Sequence, residues 1–357
     1  MADKTDTREE ARRNTRGRFE QWAKNPTCDA NALSAVHNVR MDKVAESSGI
    51  EATFGQSPFA IARGNAFEAG LFVDDAARLR SALERKGALP PGSSGFLDLR
   101  LKINGGPSLK SVDDALGATA SWLANLATGA ESADASVVAA PMIKIPRGVI
   151  LPEALLIIDA VTVARGDEGV SLTVGEIKVF PDRGGHTDPS QIAGARAQAG
   201  LYQRALEMAV SAAGLSHAIQ VQADGFLVFT WPGSNQPSVR AGEDLTFQAI
   251  RAERGFERLE EVAAGLVRED DFAADLPELI DRVLEAETTY GESCLSFCDL
   301  APRCHKRATD ADSGLLLGAE ASRLLGDIPM ARAIELMNGG DPLDDRETDL
   351  QRQLGAQ

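Results

Sequence analysis

Short β-branched runs alternate with polar turn residues between Ser136 and Phe180. The runs VVAAPMIKI, ALLIIDAVTV and VSLTVGEIKVF are separated by turn residues at 146–148 and 165–169. Runs of this length and composition, bounded by glycine and proline, are typical of β-strands. We therefore expect three adjacent strands of one sheet in this segment.

Apolar residues at steps of three and four predict helices on either side of these strands. Helices are expected at 7–24, 65–86 and 111–127, the last opened by Ser111-Val-Asp-Asp in the manner of a capping box. Asp188-Pro189-Ser-Gln191 places suitable residues at the N-cap, N1 and N3 positions of a fourth helix, which ends near Gly214.

The rest of the chain reads as a strand pair followed by helices. AIQVQADGFLVFTW and PSVR are expected to pair around the turn WPGSNQP, and a helical pattern begins at Asp244. The final stretch, NGGDPLDDRETDLQRQLGAQ, is polar, and we expect it to be loosely held. The order helix, three strands, helix, strand predicts an α/β core with helical segments at both ends.

Charge is unevenly distributed along the chain. The 357 residues include 37 Lys and Arg against 53 Asp and Glu, a formal net charge of -16, which argues against a protein that coats nucleic acid. However, residues 241–357 carry 12 basic and 26 acidic side chains, whereas residues 1–240 are nearly balanced. The charge therefore does not exclude a DNA site in the first two thirds.

Neither an export signal nor a membrane segment is evident. The most apolar stretch, 148–163, is interrupted by Pro152, Glu153 and Asp159, and the N-terminal stretch is charged throughout. We expect a cytoplasmic protein without membrane association, in which structural disulfides are unusual. The cysteines of the chain therefore need another explanation.

Three charged residues fall in the strand segment. Asp159 lies within ALLIIDAVTV, where a buried carboxylate is costly unless it is paired or binds a metal. Glu176 and Lys178 alternate with Ile177 and so project from the same face of the next strand. If the strands pair, the two carboxylates and the ammonium suit Mg²⁺ or Mn²⁺ and a phosphate. Taken singly, each also fits a structural role, as a paired carboxylate or a solvated edge pair.

Further polar residues accompany this set. Gln191, Gln198 and Tyr202 share one stripe of the helix that follows Asp188, and Glu68 lies in the segment Gly64-Asn-Ala-Phe-Glu. Singly, they would be an ordinary half-exposed helix face and a surface charge. Their order along the chain is what makes the set informative.

The cysteines suggest a second metal site. Cys294, Cys298 and Cys304 form a C-x3-C-x5-C pattern in a polar, turn-rich segment, with Cys28 far upstream. Buried cysteines that only pack are one alternative. Four thiolates suit zinc or an iron–sulfur cluster, and the spacing does not distinguish the two. His305 could replace Cys28 as a ligand, which would favour zinc.

The ordered motifs Gly64-x-x-Phe-Glu68, Asp159, Glu176-x-Lys178 and Gln198-x-x-x-Tyr202 resemble those of the RecB-like branch of the PD-(D/E)XK nuclease superfamily. The resemblance implies a restriction-endonuclease-like core over 61–240, with a mixed central sheet flanked by helices. Helical segments at 1–60 and 241–310 and an acidic helical tail at 311–357 would surround this core.

The resemblance also implies roles for individual residues. The implied metal ligands are Glu68, Asp159, Glu176 and the carbonyl of Ile177. Lys178 would be the catalytic lysine, which orients the attacking water or stabilises the transition state. Gln198 and Tyr202 would shape the site beside the scissile strand.

Several relatives carry one cysteine before the nuclease core and three after it, and these bind a [4Fe–4S] cluster. The resemblance therefore implies a cluster that joins the N- and C-terminal extensions, with zinc as the alternative. Its ligands would be Cys28, Cys294, Cys298 and Cys304. The first gap here is three residues, where those relatives usually have two.

The function implied is a Mg²⁺- or Mn²⁺-dependent deoxyribonuclease, acting as an exonuclease in DNA repair or recombination, CRISPR adaptation or phage defence. Its partners would be DNA and, because 105–111 lacks the second glycine of a P-loop, a separate helicase or another repair or defence subunit. The alternatives are a non-catalytic nucleic-acid-binding or assembly subunit with the same fold and metal cluster, and a redox or iron–sulfur regulatory protein.

Overall fold

The computed structural model describes residues 21–52, 58–100, 110–130, 135–145, 154–166, 169–183, 185–291, 294 and 297–355. The chain divides into two compact units. Unit 1 contains the described residues from 56 to 260, and unit 2 contains those from 16 to 55 and from 261 to 357. The helix expected at 7–24 lies outside the described residues except for 21–24, which are helical.

Unit 1 is an α/β fold with a mixed central sheet. The strands are β1 (Phe96–Asp98), β2 (Val137–Ala139), β3 (Met142–Ile145), β4 (Ala154–Ile157), β5 (Ala160–Gly166), β6 (Gly169–Pro181), β7 (Ile219–Val221), β8 (Asp224–Thr230) and β9 (Pro237–Asp244). The main sheet has the order β1-β2-β5-β6-β8-β9, with β7 paired to β6 beside β8. Pairs β1/β2, β6/β7 and β6/β8 are parallel, and the others in this sheet are antiparallel.

The helices of unit 1 are α3 (Pro58–Leu71), α4 (Val73–Arg85), α5 (Val112–Thr128), α6 (Pro189–Ala212) and the greater part of α7 (Thr246–Leu266); α1 (Asp29–His37) and α2 (Met41–Ser47) precede them in unit 2. α6 is the crossover between β6 and its parallel neighbours, since parallel strands need a long connection. α3 and α4 bury Phe67, Leu79 and Leu83 against Ile177 and Phe226. The expected α/β core, with helices flanking a mixed sheet, is therefore confirmed.

Two helix starts agree with the sequence-based expectation. Ser111 accepts a hydrogen bond from the Asp114 amide at 3.1 Å, and the Asp114 carboxylate accepts one from the Ser111 amide at 3.1 Å, which completes the capping box of α5. Asp188 accepts from the Gln191 amide at 3.2 Å at the start of α6, and Gly214 follows its end with a positive φ of 71°. Both starts depend on contacts within four residues, which explains why local pattern sufficed.

The strand segment departs from the prediction of three strands in one sheet. β2, β5 and β6 are adjacent as expected, but β3 and β4 pair with each other in a separate two-stranded sheet. Ala140, with a positive φ of 52°, turns the chain away from the main sheet before Pro141, which has no amide hydrogen to donate. Each of the first two apolar runs is therefore divided between the two sheets.

The helix expected at 65–86 is two helices, α3 and α4. The change of direction follows Phe72, where Asp74, Asp75 and Ala76 adopt positive φ angles of 50–55°. Positive φ is unfavourable for residues with a Cβ atom and does not continue an α-helix. Phe72 stacks on Phe96 at this point, with ring centroids 5.6 Å apart.

Unit 2 is helical and joins the N-terminal and C-terminal regions of the chain. Its remaining helices are α8 (Leu276–Glu285), α9 (Ala301–Asp310), α10 (Ala319–Leu325), α11 (Met330–Met337) and α12 (Asp345–Gln353). α8 packs on α1 and α2, and Leu33, Val44 and Val283 belong to the core that they share. Helical N- and C-terminal regions are therefore present as expected.

The C-terminal tail is more ordered than its polar sequence predicts. It contains α12, whose Leu350 is buried with Leu336 of α11. Arg332 binds Glu347 with Nε–Oε1 and Nη2–Oε2 distances of 3.0 and 2.7 Å. The expectation of a loose tail is therefore wrong, because these long-range contacts hold the helix. No helix in the part of the chain that the structure describes is long and apolar enough to span a bilayer.

Candidate functional site

The middle of β6 carries a buried ion pair. Glu176 is completely buried, and its Oε1 lies 2.5 Å from Nζ of Lys178, whose side chain is 18% exposed. The alternation of the strand places Ile177 on the opposite face, in the core with Phe67. The sequence-based expectation that Glu176 and Lys178 share a face is therefore confirmed.

The glycine before Glu176 allows the neighbouring strand to come close. A Cβ atom at Gly175 would lie 2.0 Å from the Phe226 ring, much shorter than a van der Waals contact. Phe226 lies opposite Gly175 in the β6/β8 ladder and is fully buried. The backbone position of Glu176 therefore depends on a glycine at 175.

Asp159 is held beside this pair by two hydrogen bonds. Its Oδ1 accepts from the Tyr202 hydroxyl at 3.0 Å, and its Oδ2 accepts from the Ile177 amide at 2.9 Å. Asp159 immediately precedes Ala160, which pairs with Gly175, so the antiparallel register places Asp159 next to Glu176. The structure thus brings together Asp159, Glu176 and Tyr202, as the motif order implied.

α6 places its polar stripe over this part of the sheet. Tyr202 is completely buried, Ala195 is also buried, and Gln191 and Gln198 are partly exposed on the same side of the helix. Tyr202 reaches Asp159 directly, and Gln198 lies one turn earlier. Tyr202 therefore orients a carboxylate, a more specific role than shaping one wall of the site.

Glu68 lies close enough to Arg100 of unit 1 to affect its charge. It follows Phe67 on α3 and acts electrostatically on Arg100. The Arg100 guanidinium makes a bidentate ion pair with Asp98, with an Nε–Oδ1 distance of 2.9 Å. Arg100 also stacks over Phe72 at 4.9 Å from the ring centroid. The hydrogen bond with Asp98, and to a lesser degree the charge of Glu68, raise the pKa of Arg100 above its usual value.

Sequence reasoning missed this Arg100 group and a second group around Asp182, which follows β6. Asp182 is buried and accepts hydrogen bonds from Ser238 at 2.7 Å and Thr187 at 3.1 Å, with Arg240 at 3.3 Å. Burial alone would raise the pKa of Asp182, but these donors outweigh it and lower the pKa. The group ties the loop before α6 to β9, and its partners are too distant in sequence for a local pattern to reveal it.

In unit 2, the four cysteines line one small cavity. Cys28, Cys294 and Cys298 are buried and Cys304 is partly exposed, and none of them forms a disulfide. The Cys294 sulfur accepts hydrogen bonds from the Asn25 side-chain amide at 3.2 Å and from the Gly291 amide at 3.3 Å. The prediction that one upstream and three downstream cysteines meet is therefore consistent with the cavity lining.

Burial dominates the protonation of Cys28, Cys298 and Cys304. It raises the pKa of Cys28 and Cys304, and it raises the pKa of Cys298 to about 12, with smaller contributions from the neighbouring sulfurs. Metal coordination requires thiolates, so a bound cation would reverse this preference. The donor set therefore fits a soft, thiolate-bound metal or cluster in chemical type.

His305 does not line the cysteine cavity. Its Nε2 lies 2.9 Å from the Tyr290 hydroxyl, and the two rings are 5.0 Å apart. Tyr290 is buried, and burial and then the nearby cysteines raise its pKa. These contacts favour Cys28 over His305 as the fourth member of the cysteine set.

Neither site has the arrangement of a formed metal centre. Within the described residues, no group of three or more His, Cys, Asp or Glu side chains is placed so that it could hold a metal ion. The cluster expected to join the N- and C-terminal regions is therefore not seen, although its four cysteines share a cavity. Comparison of the chain with protein-family models, curated proteins and solved structures gives no match.

Proposed function

We propose that unit 1 is a metal-dependent DNA nuclease of the PD-(D/E)XK type, with RecB-like motifs. The observation that carries this proposal is the buried Glu176–Lys178 pair beside Asp159, which Tyr202 and the Ile177 amide hold in place. A fully buried carboxylate and a lysine in the middle of a central strand are costly to maintain, and buried charges with specific partners are typical of functional sites.

Asp159 and Glu176 would hold Mg²⁺ or Mn²⁺, since hard divalent cations prefer carboxylate oxygens. Glu68 and the Ile177 carbonyl are the further ligands that the motif order suggests. The ion would supply positive charge against the phosphate and make a bound water more acidic. In this chain, Tyr202 orients Asp159, and the Lys178 ammonium would be available to the phosphate or the attacking water once a cation shares Glu176.

The decisive experiment compares Lys178→Ala with Lys144→Ala on end-labelled DNA in Mg²⁺ and Mn²⁺. Lys144 is the matched control because it is exposed and lies on β3, in the separate two-stranded sheet. We expect the Lys178 variant to lose about 10²–10³-fold in cleavage rate, the size associated with one group that stabilises a transition state, and the Lys144 variant to cut normally. Equal cleavage by wild type and Lys178→Ala would refute the assignment.

The same assay identifies the substrate. Linear and circular DNA, each single- and double-stranded, distinguishes action at ends from internal cutting. We propose exonuclease action on DNA ends or single strands, in repair, recombination or defence against foreign DNA. A separate helicase would be the source of any ATP-driven unwinding.

We further propose that the cysteine cavity of unit 2 binds a [4Fe–4S] cluster with a structural role, since phosphodiester hydrolysis transfers no electron. Its support is the shared lining of four cysteines and the two N–H donors on the Cys294 sulfur. Anaerobically purified protein should be brown and contain iron and acid-labile sulfide. A colourless protein with one zinc per chain would refute the iron–sulfur cluster and show that the site binds zinc.

One observation favours a second candidate, a non-catalytic nucleic-acid-binding or assembly subunit. Glu176 is already paired with Lys178, and Asp159 already accepts two hydrogen bonds, so the carboxylates are satisfied by protein groups. A protein that binds DNA but shows no metal-dependent turnover, with unchanged binding in Lys178→Ala, would support this candidate over the nuclease.

A further inference from the structure

Asn25 is a buried side chain beside the cysteine cavity, and it contacts a distant part of the chain. It is 8% exposed and lines the cavity together with the four cysteines. Its Nδ2 donates to the Thr289 carbonyl at 2.7 Å and to the Cys294 sulfur at 3.2 Å. The two amide protons of Asn25 therefore make hydrogen bonds to two different acceptors, one carbonyl oxygen and one sulfur.

The orientation of the Asn25 amide is fixed by its other contacts. The Thr289 carbonyl can only accept, so it requires the donor end of the Asn25 amide on its side. The Thr27 hydroxyl, which can donate or accept, donates to the remaining Oδ1 of Asn25 at 3.1 Å. The Thr289 carbonyl therefore directs an N–H group, and not the oxygen, toward the Cys294 sulfur, because Nδ2 contacts both.

The Cys294 sulfur accepts a hydrogen bond from a side chain as well as from the backbone. The neighbouring cysteines have hydrogen-bond partners of their own, which are backbone groups for Cys28 and Cys298 and the Thr288 side chain for Cys304. The Gly291 amide donates to the same sulfur at 3.3 Å, so one backbone and one side-chain N–H converge there. Hydrogen bonds to a coordinating sulfur withdraw electron density from it and favour the more negative, reduced state of a bound cluster. They also orient the ligand and strengthen metal retention.

We propose that Asn25 is a positioning residue that holds the Cys294 sulfur for metal binding and raises the reduction potential of a cluster bound there. This rests on the proposed metal at the cysteine cavity. The backbone donor at Gly291 stays in place in any side-chain variant, so removing the Asn25 amide weakens the set without abolishing it. The expected effect is therefore graded.

The test uses Asn25→Leu and Asn25→Asp in the full-length protein, purified anaerobically. Iron or zinc release to a chelator should be about tenfold faster than in wild type. For an iron cluster, the equilibrium constant for reduction should fall about tenfold, a shift of roughly 59 mV to more negative potential for one electron. Asn25→Asp should shift the potential at least as far, because a carboxylate replaces the donor beside the sulfur.

Asn31→Leu is the matched control. Asn31 is also buried, lines the same cavity and donates from its side chain to the carbonyls of Trp22 and Asn25 at 3.2 and 3.0 Å. Its recorded contact with a cysteine is a backbone hydrogen bond with Cys28, which a side-chain substitution retains. A loss of packing should affect both asparagine variants alike, whereas the potential should move only with Asn25. Thr27→Val, at an exposed position, provides a milder variant that removes one hydrogen bond holding the Asn25 amide and should move both readouts in the same direction.

The outcomes separate this inference from the proposals on which it rests. Wild-type protein without iron or zinc refutes the metal proposal and this inference with it, whatever the DNA cleavage assay shows. Metal-loaded Asn25→Leu with the release rate and potential of Asn31→Leu refutes the role of Asn25 alone. If Asn25→Leu does not fold, an unchanged release rate in Thr27→Val leads to the same conclusion.

Discussion

The two units bury polar groups in opposite ways. In unit 1, the charge of Glu176 is met by Lys178, and Asp159 accepts hydrogen bonds from Tyr202 and the Ile177 amide. In unit 2, the cavity gathers four cysteines, and burial raises the pKa of three of them, Cys28, Cys298 and Cys304. The first site is balanced by groups of the protein itself, whereas the second collects soft donors, three of which have a disfavoured charged form.

This difference predicts that the folding of the two units depends to different degrees on a bound metal. The sheet of unit 1 should fold with or without a divalent cation, since Lys178 pairs with Glu176, and Tyr202 and the Ile177 amide donate hydrogen bonds to Asp159. A thiolate-bound metal would instead contribute folding free energy to unit 2, because coordination and folding are coupled in such sites. The predictions below test this contrast, from the largest expected effect to the smallest.

Metal removal should affect unit 2 far more than unit 1. Cys298→Ser should lower the stability of unit 2 by on the order of 5 kcal/mol or more, by loss of a metal ligand. Calorimetry should then show one transition at lower temperature and the other unchanged. In chelator-treated protein the substitution should have little further effect, and equal shifts of both transitions would contradict the contrast.

Removing one partner of the Glu176–Lys178 ion pair in unit 1 is expected to have the next largest effect on stability. Lys178→Met leaves the Glu176 carboxylate buried without its ion-pair partner, which costs about 3–5 kcal/mol. Urea denaturation should show this loss, and the double variant Glu176→Gln/Lys178→Met should recover most of it while cleavage stays absent. No coupling between the two substitutions in the double-mutant cycle would mean that the pair does not contribute as described.

Gly175→Ala should destabilise unit 1 by about 1–3 kcal/mol, because the new Cβ would overlap the Phe226 ring. Phe226→Leu in the same chain should recover part of the loss. Gly117→Ala is the control, since a Cβ there meets no atom within 4 Å and alanine favours the helix α5. The control should be neutral or slightly stabilising; a similar loss in both variants would argue against a specific clash.

The smallest effect concerns Asp271 in unit 2, which is buried near His37 at 3.5 Å and Arg282 at 3.1 Å. Burial opposes its ionisation, but the Arg268 amide and Arg282 outweigh burial and lower its pKa. A lowered folded-state pKa contributes stability above the unfolded value, about 3.9, and that stability is lost as pH falls through the folded value.

Asp271→Asn should therefore cost about 1–2 kcal/mol at pH 7, as expected for hydrogen bonds to a charged group. The difference from wild type should shrink on acidification below about pH 4, measured by denaturation across pH. Asp270→Asn, at an exposed neighbouring position, should show no such convergence. A constant difference across pH would mean that ionisation of Asp271 does not contribute.

Local signals in the sequence predicted much of the fold. The capping box at Ser111 and the start of α6 at Asp188 depend on residues within one turn, and both were found as expected. The division of the apolar runs at Ala140 was not predictable, because a positive φ in an alanine has no residue-type signature. The firm packing of α12 was not expected, because it depends on partners on α11 that hold Leu350 and Glu347.

In the candidate site, too, local periodicity was predictable from the sequence and long-range contacts were not. Alternation along β6 correctly placed Glu176 and Lys178 on one face, and helical spacing placed Tyr202 where it reaches Asp159. The Arg100 and Asp182 groups escaped notice, since each gathers residues from separate elements around one charge. Strand and helix periodicity identifies which residues share a face, but not which distant side chains meet them.

The composition of unit 2 from both ends of the chain has a consequence for biosynthesis. Asn25 and Cys294 are 269 residues apart in sequence, so at about 5–20 residues per second the ribosome needs tens of seconds between them. Every described residue of unit 1 lies between the two and is synthesised before Cys294. During that interval the other three cysteines of the cavity have not been synthesised. The Cys28 thiol can therefore be oxidised before the last of them emerges from the ribosome.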